Sequence, residues 1–167
     1  MKTEIITPFF FDFESDFVES LRCIPMIVRY KLDSCGIKLK LPEWVKISVE
    51  EKNQLAFLPC YLRSEVDLYG EFVKMLVWKY ANHEASLLTS VDDCWNSLTG
   101  VPEEVQTKAT EYNCPILSQK QWIELNTLQR FALVKLSRSG HEGKNFPRAM
   151  REFGLIPYPP FFLPTQK

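Results

Sequence analysis

"SEVDLYGEFVKMLVWKYAN", residues 64–82, is the stretch on which the fold class turns. Leu68, Phe72, Met75 and Leu76 recur at helical spacing, so the segment predicts a helix over 65–82 that lays one face on the core. Ser64, three residues before Asp67, gives it a weak N-terminal capping signature.

Working outward, the same punctuation recurs. Ser48 stands three residues before Glu51 and Ser118 three before Gln121, both spacings at which side chains satisfy the unpaired N–H groups of a helix start. They predict helices over 49–58 and 119–138, the latter carrying Trp122, Leu125, Leu128, Ala132 and Leu136 on one face. Pro102 followed by Glu103 and Glu104 places a proline and two carboxylates at the start of a helix over 102–112. Asn145, Phe146 and Pro147 open a short helix closed by Gly154. Upstream, "ESDFVESLRCIPMIVRYKLDSCG" reads as a helix from 14, kinked or restarted at Pro25 and ended by Gly36. "GIKLKLPEW" alternates apolar and basic residues and is a short edge strand or an extended linker. The expectation is an all-α, single-domain bundle over 1–167, with about five to seven helices and residues 155–167 as an extended Pro-rich strap.

Composition bounds the function classes. The chain has 167 residues, 46% apolar and 25% charged, which suffices for one packed domain, and its net charge of -1 gives no general reason to expect nucleic acid as partner. No apolar run reaches the roughly 18 residues that span a bilayer, and the acidic, aromatic start "MKTEIITPFFFDFESDF" does not resemble a secretory signal. Cys23, Cys35, Cys60, Cys94 and Cys114 are odd in number and scattered, which fits a reducing, cytoplasmic compartment. Their spacings suit neither zinc nor an iron–sulfur cluster, and buried inert thiols are the expected state. No cofactor is expected. His83, after the long helix, has a capping or solvent role by default; Trp44, Trp78, Trp95 and Trp122 are expected in the core or at its rim. Phe161 and Phe162 in the tail are expected to be docked on this domain or on a partner.

The chemistry-bearing segment is "RFALVKLSRSGHEGKNFPRAM", residues 130–150. An enzyme reading would make His141 a general base with Ser137 or Ser139 as nucleophile and Glu142 as orienter, but triad members meet through the fold instead of as loop neighbours. The caps account for much of the loop: Gly140 as a helix C-cap, Gly143 easing a turn, Asn145 capping the next helix. They leave Arg130, Lys135, Arg138, Lys144, Arg148 and Arg151 facing only Glu142. The expected site is therefore a partner- or anion-binding one, made of Arg130, Lys135, Arg138, Ser139, His141, Lys144, Asn145 and Arg148. Its counter-charge is either internal, from Asp12, Glu14, Asp16 and Glu19, or brought by a partner.

Two blocks carry a resemblance. "FDFESDFVESLRCIPMIVRYKLDSCGIKLKL", residues 11–41, and "LQRFALVKLSRSGHEGKNFPRAMREFG", residues 128–154, resemble the nitrate reductase-associated protein family, in that order along the chain. The resemblance implies a non-enzymatic accessory factor for assimilatory nitrate reductase, supporting its assembly, cofactor loading or activity, with nitrate reductase as partner. An acidic patch on that enzyme, or the phosphate of the molybdenum cofactor, would then be the anion. The alternative is a small enzyme or redox carrier in nitrate assimilation that uses His141 and a cysteine.

Overall fold

The computed structural model describes residues 10–18, 21–140 and 142–157. The protein is mostly helical and divides into two compact units, residues 1–92 and 93–167.

The first unit runs α1 (Ser15–Val18), α2 (Met26–Cys35), β1 (Ile37–Lys38), α3 (Leu41–Lys46), α4 (Val49–Phe57), α5 (Arg63–Ala81) and β2 (Ser86–Leu87). α2 and α3 pack on α5, and the fully buried Trp44, Tyr69, Leu55 and Leu76 form the centre of its core. Pro25 precedes α2 and has no side-chain cap to offer, so the buried Glu14 supplies one: its Oε1 accepts the Met26 N–H at 2.7 Å and its Oε2 the Phe11 N–H at 3.1 Å. Gly36 ends α2 in the left-handed region at φ 71°, which costs glycine nothing. At the far end of α4 a buried cation does the capping. The Nζ of Lys31 on α2 donates to the carbonyls of Ala56 and Leu58, each at 2.6 Å, where the last turn of a helix carries negative partial charge. Burial pulls the Lys31 amine down to about 8, and the neighbouring Cys60 thiol is pushed up to about 12 by the same cause.

The second unit contains a 3-10 turn at Cys94–Asn96, then α6 (Glu103–Glu111), α7 (Gln119–Glu124), α8 (Thr127–Arg138), a 3-10 turn at Gly143–Asn145 and α9 (Phe146–Glu152). α8 is its axis: α6, α9 and both turns pack around it, and Phe131, Ala132, Leu133, Val134 and Leu136 are buried. Trp95 meets Phe131 edge to face at 4.9 Å, and the buried Trp122 donates its indole N–H to the Ser97 carbonyl at 2.9 Å.

The all-α class holds, and among the described residues the extra helices beyond the five to seven expected come from splits and from α3, which forms on the stretch expected as a strand or linker. The helix expected over 119–138 breaks at Leu125, because Asn126 caps a new start: Asn126 Oδ1 accepts the Gln129 N–H and Gln129 Oε1 accepts the Asn126 N–H. "GIKLKLPEW" is partly strand and partly helix. Ile37 and Lys38 pair antiparallel with Leu87 and Ser86, and α3 begins at Leu41 with Pro42 in its first turn. The largest correction concerns α5. Leu76 is buried, Phe72 is half-buried, and Leu68 and Met75 are 72% and 51% exposed. The core takes the opposite stripe, Tyr69, Gly70, Val73, Leu76 and Val77. The expected strap of 155–167, with Phe161 and Phe162, lies outside the described residues from Tyr158 onward.

Candidate functional site

The basic segment of the second unit starts on α8. Arg130 is 8% exposed and spent on backbone: its Nε donates to the Trp95 carbonyl at 2.7 Å, its Nη1 to the Leu125 carbonyl, and its Nη2 to Thr127 Oγ1 at 3.3 Å. It thus closes the C-terminal end of α7 and pins the 3-10 turn to α8. Lys135, one turn on, lays its ammonium over aromatic faces, 5.3 Å from the Phe131 centroid and 5.8 Å from that of Trp95.

Arg138 ends α8 and meets Glu104 of α6 fork to fork, with Nε to Oε2 at 2.9 Å and Nη2 to Oε1 at 2.8 Å. The guanidinium holds the Glu104 carboxyl below its usual range. Cys94 completes the group, its thiol donating to Glu104 Oε1 at 3.5 Å. The pair spans 34 residues and explains why carboxylates follow Pro102 better than the helix dipole alone does.

Ser139 Oγ accepts the Glu142 N–H at 2.9 Å, so the hydroxyl shapes the loop instead of standing ready as a nucleophile. α8 ends on Ser139 in an extended conformation, and the glycine C-cap expected at Gly140 is not formed; Gly36 and Gly154 are the glycines with positive φ. Gly143 has a tighter reason to lack a side chain. A Cβ there would lie 3.1 Å from the Tyr112 hydroxyl. Asn145 is 8% exposed and occupies the N-cap position of α9, yet with helical φ and ψ and no capping bond from its side chain; its Oδ1 accepts from Arg148 Nη1 at 3.4 Å. The start of α9 is formed by the preceding 3-10 turn, in which the Asn145 N–H bonds to the Glu142 carbonyl at 2.9 Å. His141 lies outside the described residues.

Among the described residues, four bases of the segment are exposed: Arg138, paired with Glu104, then Lys144, Arg148, which bonds Asn145, and Arg151. A spacing of four and then three places Lys144, Arg148 and Arg151 on one side of the turn and α9. The basic segment therefore divides into Arg130, Lys135 and the exposed Arg138, which bond or stack against other elements of the unit, and Lys144, Arg148 and Arg151, which present positive charge at the turn and α9.

In the first unit, Glu14 of the acidic stretch is consumed as the cap of α2, Asp12 and Asp16 are exposed, and Glu19 lies outside the described residues. His83 follows Asn82, the left-handed C-cap of α5, and its Nε2 stands 3.4 Å from Glu43 Oε1. The other oxygen of Glu43 caps α3 by accepting the Lys40 N–H at 2.7 Å. All five cysteines are free thiols; burial raises the pKa of Cys35, Cys60 and Cys114. The Asn126–Gln129 box was available in the sequence as a cap spacing, whereas the Glu104–Arg138 pair and the Lys31 cap have no local signal.

A family model described as conserved nitrate reductase-associated protein matches residues 10–153. No curated protein and no solved structure matches the chain.

Proposed function

The chain belongs to the nitrate reductase-associated protein family, and from that premise we propose that it is a non-enzymatic accessory factor of assimilatory nitrate reductase, supporting its assembly, cofactor loading or activity by direct binding. Residues 1–167 act as one such module in the cytoplasm, with 155–167 as its tail. The observation that carries the binding site is the outer basic face of the second unit, Lys144, Arg148 and Arg151. Arginine forks and a lysine point charge suit carboxylates on an acidic protein surface, or the phosphate of the molybdenum cofactor. Buried Arg130 supports this face from within, and the exposed Arg138 is held by Glu104. The raised thiols of Cys35, Cys60 and Cys114 speak against thiolate chemistry at those three positions, since it needs a depressed pKa.

Reversal of charge at Lys144 and Arg148, each to Glu, tests the reading. Co-purification with nitrate reductase is expected to disappear while the far-UV spectrum stays that of the wild type; binding that survives the reversal removes this face as the interface. Repeating the pull-down with cofactor-free reductase separates the roles: capture of that form alone marks a loading factor, capture of both forms an activator.

A further inference from the structure

α5 is apolar on two sides, and only one of them is used. Tyr69, Val73, Leu76 and Val77 are buried in the first unit. On the opposite side Leu68, Phe72 and Met75 form a second stripe, with Trp78 on its flank one turn further on. Leu68, Met75 and Trp78 are 72%, 51% and 58% exposed. A helix that is apolar all round belongs in an interior, and a contiguous apolar stripe on a surface marks an interaction site.

The charges that border the stripe select its occupant. Glu65, Asp67 and Glu71 lie in the first half of α5, Lys74 and Lys79 in the second. We infer that α5 is a self-association face, on which a second copy of this chain docks its own α5 antiparallel about a two-fold axis at Phe72. Such an axis brings Glu65 level with Lys79 of the other copy. Within one residue's rise of about 1.5 Å, it also brings Leu68 level with Met75 and Glu71 with Lys74. Along the line of Glu65, Leu68, Phe72, Met75 and Lys79 each apolar residue meets an apolar one and Glu65 meets Lys79, which also holds Glu51 of its own copy, while Asp67 falls level with Trp78 on the flank. That order along the stripe is the self-complementarity a two-fold interface requires. Antiparallel helix dipoles agree with this order. In the monomer Lys74 already bonds Glu71 at 3.0 Å, so the dimer joins two such pairs into a four-charge cluster at the centre of the seam. At the Trp78 end, a hollow of about 410 Å³ lined by Lys74, Trp78, Glu84, Ala85 and Leu87 lies where the N-terminal half of the other α5 arrives.

This inference stands apart from the basic face of the second unit, and its test separates the two. Sedimentation equilibrium of the full chain at tens of micromolar is expected to give twice the chain mass. Leu68→Glu with Met75→Glu should give the mass of one chain at every concentration with an unchanged far-UV spectrum. Glu71→Lys alone and Lys74→Glu alone should each weaken the dimer about tenfold, a change of about 1.4 kcal/mol, and the two together should restore it. A wild type of single-chain mass overturns the inference, as does an apolar double variant that keeps the wild-type mass or a charge swap that fails to recover. If the wild type is monomeric and the apolar variant loses the reductase, the face belongs to that partner and not to a second copy. Loss of the reductase on reversal of Lys144 and Arg148 is read independently in the same assay.

Discussion

Arg130 and Lys31 perform one task in two units: each is a buried cation that ends a helix by donating to its last carbonyls. Carbonyl groups at a helix end have no partner within the helix, and in a buried place water cannot supply one. Arg130 serves the Leu125 and Trp95 carbonyls from separate nitrogens of one planar fork, whereas Lys31 reaches its two carbonyls from a single ammonium. Arg130→Met keeps the stem and removes the donors. It is expected to lower unfolding free energy by about 2–4 kcal/mol, since two buried acceptors lose their partners; urea titration followed by tryptophan fluorescence measures this. A loss below about 0.5 kcal/mol would mean that water reaches those carbonyls. In the sequence this arginine is one base among six. Nothing local distinguishes the one that turns inward from Lys144, which faces out, because that choice depends on where residues 35 positions away come to rest.

At the scale of elements, α4 and α5 are joined by a cap that faces two ways. Ser48 Oγ accepts the Glu51 N–H at 3.2 Å, as the S-x-x-E spacing predicts, and donates to Glu51 Oε2 at 2.9 Å, while the same carboxylate reaches across to α5. It accepts from Lys79 Nζ at 2.7 Å and Tyr80 Oη at 2.5 Å, and these bonds, that of Lys79 first, hold its carboxyl down at about 2. The folded pKa lies below the ordinary 4.5, so the stabilisation is whole above about 4.5 and is lost as pH falls through about 2. Glu51→Gln should flatten that part of the stability profile, and an acid limb identical to the wild type's would show that Lys79 and Tyr80 do not hold the carboxylate. The starts of α4 and α7 were readable because a cap is a local bargain between residues three apart: Ser48 and Ser118 both cap as their spacing implies, whereas at α5 the cap position is Leu62 and Ser64 lies inside the helix. Which side of a helix faces the core is not local. In α5 both stripes are apolar at the same period, and Gly70 and Tyr69 occupy the inner one although Leu68 and Met75 are the more apolar pair.

For the molecule as a whole, a net charge of -1 means that no long-range field steers partners to it, so any electrostatic recognition is a matter of local faces. The family match, residues 10–153, runs through both units, and each unit presents one such face: basic on α9 in the second, apolar on α5 in the first. Their responses to salt should be opposite. At about 0.15 M the screening length is about 8 Å, so reductase binding through Lys144, Arg148 and Arg151 is expected to weaken as salt is raised further. Self-association through Leu68, Phe72 and Met75 should persist or strengthen in sulfate. Both can be read from one gradient of ionic strength, with pull-down yield and sedimentation mass as the two signals; reductase binding indifferent to salt would count against the basic face.

The Lys31 cap also sets an order of events in time. Its bonds to Ala56 and Leu58 close segments of 25 and 27 residues, so they cannot exist until α2 and α4 have met. A bond that forms late is absent from the folding nucleus, and its removal acts on escape from the native state, not on arrival. Lys31→Met should therefore speed unfolding in stopped-flow measurements while the refolding rate stays within about twofold of the wild type. On that expectation the amine is a latch on the packing of α2 against α4, and it governs the lifetime of the first unit more than the speed with which it assembles.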